Sequence, residues 1–192
     1  MANIIIIPGS VREQSVNRRL ATVIGKAVTD QGGKATVINL ADYPMPIYDG
    51  DAEAANGMPE GAKALAALIG EHDGVVFVTP EYNASMSPVL KNAIDWLSRD
   101  ADVKVYQNRV FALAACSPGA LGGIRVLSHI RDTMVSIGAD VITPQVAVGG
   151  AGSAFADDDT LTNERAAGLL NGMVSTLLRR AKDNGRWPDA SR

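Results

Sequence analysis

Asn3-Ile4-Ile5-Ile6-Ile7-Pro8-Gly9-Ser10-Val11-Arg12-Glu13-Gln14-Ser15-Val16-Asn17 runs from an unbroken apolar stretch through a polar turn into the start of a helix. An apolar run without alternation is what a strand buried on both faces presents, because neither side of its pleat meets water. The pattern recurs at 35–40, 74–78 and 110–115, with a weaker fifth candidate at 140–143. Between these lie helical periodicities at 16–31, 60–71, 88–98, 121–137 and 161–182. Pro59 and Pro88 suit helix starts and Gly32-Gly33 a helix stop. Strands and helices taking turns predict an α/β fold, a doubly wound five-stranded parallel sheet with helices on both faces. Its ligand crevice lies beyond the carboxyl ends of the strands. Residues 49–57, polar and rich in Gly, Ala and Asp, read as a surface loop.

Bulk properties narrow the function. A chain of 192 residues, 46% hydrophobic and 20% charged, is sized for one domain over 1–192. Its net charge of −3 offers no basic field for a phosphate backbone, which argues against nucleic-acid binding. No basic leader or bilayer-length apolar run is present, so no membrane role and a cytoplasmic location are expected. Cys116 is the only cysteine, too few for an internal disulfide or a metal site, and reads as a small buried hydrophobe. His72 and His129 fall inside helical stretches, away from strand ends. The triplet Asp157-Asp158-Asp159 reads as charge ahead of the last helix rather than as a metal site.

Three loops follow strand candidates. The first has one glycine followed by hydroxyls, an amide and a guanidinium, with neither a GxGxxG turn nor a GK[ST] sequence. Opening onto a helix N-terminus, with Ser10, Ser15 and Asn17 as donors and Arg12 as a fork, it suits a terminal phosphate. The residues allow equally that Ser15 only caps the helix and Arg12 is a solvated charge. The second loop, Thr79-Pro80-Glu81-Tyr82-Asn83-Ala84-Ser85-Met86-Ser87, carries an aromatic, an amide and hydroxyls that can seat a planar heterocycle; the alternative is an ordinary turn capped by Ser87. In the third, Cys116-Ser117-Pro118-Gly119-Ala120-Leu121-Gly122-Gly123, three glycines let backbone approach a ligand, or simply make a flexible loop.

Together these loops resemble the NADPH-dependent FMN reductase family, the flavodoxin-like group that includes bacterial quinone and chromate reductases. The resemblance rests on Gly9-Ser10-x-Arg12-x-x-Ser15-x-Asn17, on Pro80-Glu81-Tyr82-Asn83-x-Ser85 with the run from Pro88 to Arg99, and on Ser117-x-Gly119-x-x-Gly122-Gly123. Met86-Ser87-Pro88 departs from the glycine or proline pattern common among relatives. The family implies strand order 2-1-3-4-5 and FMN as cofactor, with NADPH or NADH as co-substrate. It implies that Ser10, Arg12, Ser15, Val16 and Asn17 hold the FMN phosphate. Pro80, Glu81, Tyr82, Asn83 and Ser85 would line the flavin, and Ser117, Gly119, Gly122 and Gly123 would border its other edge. The flavin carries the chemistry, so no catalytic side chain is expected. The function implied is ping-pong transfer of two electrons from a nicotinamide to a quinone or similar small acceptor, such as chromate, an azo compound or free flavin. A flavodoxin-type electron carrier and a flavin-free regulatory protein of the same fold are the alternatives. Arg12, Arg18, Arg19 and Arg125 do not distinguish NADH from NADPH. A homodimer or homotetramer is expected through the helix from Pro88 to Ser98, whose apolar arc of roughly 160° is wider than one sheet needs.

Overall fold

The computed structural model describes residues 1–100, 104–107 and 109–183. Five strands, β1 (Asn3–Pro8), β2 (Lys34–Val37), β3 (Gly74–Thr79), β4 (Val110–Cys116) and β5 (Asp140–Val148), form one sheet in the order β2-β1-β3-β4-β5. All four pairings are parallel. The helices are α1 (Val16–Asp30), α2 (Gly50–Asn56), α3 (Glu60–Gly70), α4 (Pro88–Leu97), α5 (Ile124–Ser136) and α6 (Glu164–Asp183).

The continuous apolar runs work as the pleat requires. Ile4, Ile6, Val76, Val78, Ala112 and Ala114 face a core layer with α1 and α6. Their neighbours Ile5, Ile7, Val75, Phe77, Phe111 and Leu113 face the opposite layer with α3, α4 and α5. A strand with period-two side chains and apolar residues at every position has only this solution.

Several boundaries differ from the sequence reading. β2 stops at Val37, because Asn39 caps a 3-10 turn, Leu40–Asp42, through its side-chain oxygen and the Ala41 N–H. Residues 49–57 hold α2 rather than a loop: Asp49 caps it by accepting from the Asp51 and Ala52 N–H groups. α2 buries no residue, so it has no apolar stripe for a periodicity search to find. α5 starts at Ile124 and α6 at Glu164, three residues later than predicted in each case. β5 continues past Thr143 to Val148 through a bulge, its register slipping opposite Phe111 and Leu113. Pro144 sits in the bulge of this edge strand, where a missing N–H is tolerated. Arg131 of α5 donates to the carbonyls of Ile142 and Thr143 and to the Gln145 side chain, fixing the bulge.

The wide apolar face of α4 is covered within the chain, against the reason given for association through it. Trp96 is 1% exposed; its indole N–H donates to the Pro46 carbonyl at 2.8 Å and Tyr48 packs edge-on at 5.1 Å. Asn92 holds the same segment through the Tyr48 N–H and the Pro46 carbonyl. Val89 packs partly buried against the core.

Candidate functional site

The loops after β1, β3 and β4 meet where the central strands end. The first loop is fastened to the second by a buried bond from the Ser87 hydroxyl to the Gly9 carbonyl at 2.6 Å, while the Gly9 N–H donates to Val78. Ser87 also caps α4, accepting from the Leu90 N–H. Gly9 must be glycine here, since a Cβ would lie 2.9 Å from that of Leu90.

Ser15 caps α1 by accepting from the Arg18 N–H, leaving the Val16 and Asn17 N–H groups of the first turn without intrahelical partners. Asn17 is buried, and both ends of its amide are engaged: Nδ2 donates to the Cys116 carbonyl and Oδ1 accepts from the Cys116 N–H, each at 2.9 Å. Its side chain therefore joins α1 to β4, and what it offers an anion is its place on the helix end. Ser10 is buried, and Arg12 is exposed with no ion-pair partner among the described residues. First-turn N–H groups, a hydroxyl and an unpaired guanidinium form a donor set that fits a phosphate.

In the second loop Tyr82 and Ser85 bond backbone to backbone in both directions, around Asn83 and Ala84 at φ of 50° and 65°. Two successive left-handed residues make a mirror-image tight turn, which leaves Tyr82 exposed at the rim. Glu81 turns the other way, toward α5. Its carboxylate accepts from Arg125 at 2.7 and 2.8 Å and from the Val126 N–H at 3.3 Å. Burial alone would raise its pKa; the Arg125 bond, the Val126 N–H and the guanidinium charge outweigh it and hold the carboxyl below its ordinary value.

The third loop is sewn to the end of β5. Ser117 donates its N–H to Val148 and accepts from the Ala151 N–H, and Gly150 donates to Gly119. Gly122, at φ 64°, leaves no room for a side chain, as a Cβ would lie 2.6 Å from the Val148 carbonyl carbon. Gly123, at φ 87°, caps α5 and would meet Ala115 at 2.9 Å.

The structure thus brings Ser10, Arg12, Ser15, Val16 and Asn17 into one loop and helix end, Pro80 to Ser85 into a second wall, and Ser117 to Gly123 into a third. Ser87, Arg125 and Val148 to Ala151 fasten those walls; the sequence showed Ser87 only as a cap and Arg125 only as one of four arginines near the site, and Val148 to Ala151 not at all. His72 bonds Leu68 and Thr36, outside the site. The aspartate triplet does not reach the first turn of α6: Asp158 accepts from Thr160 and Asp159 pairs with Arg19. Among the described residues no helix is long and apolar enough to cross a membrane.

Residues 2–153 match the family described as NADPH-dependent FMN reductase. The chain is 37% identical over 147 residues to a quinone reductase of Escherichia coli, covering 77% of each. It is 33% identical over 174 residues to an NAD(P)H-dependent FMN reductase of Pseudomonas aeruginosa, covering 89% of this chain and 90% of that one. Among solved structures, the flavoenzyme NAD(P)H:(acceptor) oxidoreductase of Paracoccus denitrificans superposes with a TM-score of 0.82 at 26% identity, over 96% of this chain and 99% of that one. With more than half of its length matched and the donor set in place at the strand ends, the chain belongs to the NADPH-dependent FMN reductase family.

Proposed function

We propose that the chain passes two electrons by ping-pong turnover from NADPH or NADH to a quinone or a similar small acceptor, chromate, azo compounds and free flavin among them, in the cytoplasm. The observation that carries this reading is the helix N-terminus of α1 beside Ser10 and the unpaired Arg12, at the junction of three interlocked loops. In this reading Ser10, Arg12, Ser15, Val16 and Asn17 seat the FMN phosphate, Arg12 by charge-assisted bonds and Val16 and Asn17 by backbone N–H groups. Pro80, Glu81, Tyr82, Asn83 and Ser85 wall one side of the ring. Ser117, Gly119, Gly122 and Gly123 border the other. Bound FMN supplies the redox chemistry, accepting two electrons from the nicotinamide and releasing them to the second substrate. The protein's part is position and electrostatics. The Ser117, Gly119 and Gly122 N–H groups already donate within the chain, so in this reading those of Ala120, Leu121 and Gly123 stabilise negative charge as an oxyanion hole does, and the Glu81–Arg125 pair keeps the Glu81 carboxylate off the ring. A homodimer or homotetramer stays in the proposal on the family resemblance, without α4 as its contact.

Absorbance of the purified protein and steady-state turnover with each nicotinamide and a quinone test this. The expected result is a yellow protein with parallel double-reciprocal lines. A protein that binds no FMN, or binds it without turnover, overturns the reading.

A further inference from the structure

A cleft of about 740 Å³ opens beside the phosphate loop, between the first turns of α1 and the chain leaving β2. Its size is that of a small-molecule site, which runs to roughly 300–1,000 Å³. Ser15 and Val16 belong to both the loop and the cleft, so a group attached to a phosphate on the loop enters the cleft without crossing the protein. The donors change character along this path. Arg12 lies at the loop and Arg18 in the cleft, and neither forms an ion pair among the described residues; the Arg18 guanidinium meets only the Arg12 carbonyl, at 3.5 Å. Two unpaired forks, one on the loop and one in the cleft, can each grip one of two linked phosphates. On the β2 side of the cleft, Val37, 44% exposed at the end of that strand, and Tyr43 offer apolar lining for a planar ring. Asp42 offers a carboxylate to a ribose diol. Asn39 keeps its amide NH₂ available, since only its oxygen is used, by the Ala41 N–H.

We propose that this cleft holds the adenylate of a dinucleotide, and that its source is flavin adenine dinucleotide, so that the site accepts FAD as well as FMN. This rests on the flavin reading above. The full-length protein, freed of flavin, is titrated with FMN and with FAD by fluorescence, in the wild type and in Val37→Arg and Arg18→Ala. Wild type is expected to bind FAD within about tenfold of FMN; each variant should weaken FAD about tenfold or more and FMN less than about threefold, as loss of a charge-assisted bond or of the cavity implies. Because only FAD reaches the cleft, unchanged FMN binding also shows that the variants are folded. Wild-type FAD affinity more than about a hundredfold below that of FMN, or variants that weaken both flavins alike, overturns the proposal. Turnover with NADPH and with reduced nicotinamide mononucleotide, which has no adenylate, identifies the other source. If the variants raise KM for NADPH alone and leave the FAD to FMN ratio unchanged, the cleft serves the nicotinamide substrate and the FAD assignment falls. Failure of both flavins to bind wild type overturns the flavin reading itself.

Discussion

Asn17 occupies the N-terminal turn of α1 yet directs its whole side chain at the backbone of Cys116, 99 residues away. Asn17→Ala leaves a buried N–H and a buried carbonyl without that partner, a loss of about 2–6 kcal/mol at roughly 1–3 kcal/mol per unsatisfied group. Urea unfolding checks it, and a change under about 0.5 kcal/mol would show that the clamp is idle. At Arg12 the effect is on ligand rather than fold: Arg12→Ala is expected to weaken FMN by about 1.5–3 kcal/mol, read by fluorescence titration with the melting temperature of the flavin-free protein unchanged. Glu81 has a pH signature. Its folded pKa lies below the ordinary carboxylate value, so its contribution is complete above that value, about 4.3 in model peptides, and is lost as pH falls through the lower, folded one. Glu81→Gln should therefore flatten the acid limb of stability against pH and leave its neutral and alkaline limbs parallel to wild type; an unaltered acid limb contradicts the pairing. Cys116, its thiol pushed up to about 12 by burial, matches the inert hydrophobe read from its solitary position.

Turns and caps decide what each element contributes, and here the sequence was only partly legible. The central strands were readable because each side chain is apolar and no competing pattern exists. The second half of β5 was not, because its partly exposed side chains and Pro144 conceal a strand that a bulge and Arg131 sustain. α2 escaped for want of an apolar face. The site loops showed their chemistry but not their joinery: Ser87 to Gly9 and Glu81 to Arg125 span 78 and 44 residues, and separation of that kind leaves no local trace. The tight turn of the second loop makes its own prediction. Ala84 holds φ 65°, so Ala84→Gly relieves left-handed strain and is expected to stabilise the fold by about 0.5–1 kcal/mol net of chain entropy. Gly122→Ala acts in the opposite sense, adding both that strain and a clash with Val148, and should lower stability by about 2–4 kcal/mol. Calorimetry on the two variants gives both signs.

Across the whole molecule, the apolar face of α4 is covered inside one chain, by the core layer it shares with α3 and α5 and by Pro46 to Tyr48. Trp96→Ala should cost about 3–5 kcal/mol while leaving the molar mass by light scattering where it is in wild type; a change in mass would return α4 to an interface between copies. Periodicity had measured the width of the apolar arc correctly, but a width does not say which segment covers it, and the Pro46 to Tyr48 stretch carries no pattern that marks it as a cover. The two outer strands set a different limit on how copies meet. A long, flat outer strand is a template on which another chain can add its own backbone. β2 is only four residues long. β5 is interrupted by a proline with no N–H to give, and the carbonyls of Ile142 and Thr143 are already turned onto Arg131. Neither border offers a long uninterrupted ladder, so growth into fibrils by strand addition is disfavoured at both edges of the sheet, and encounters between copies fall more readily to side-chain surfaces.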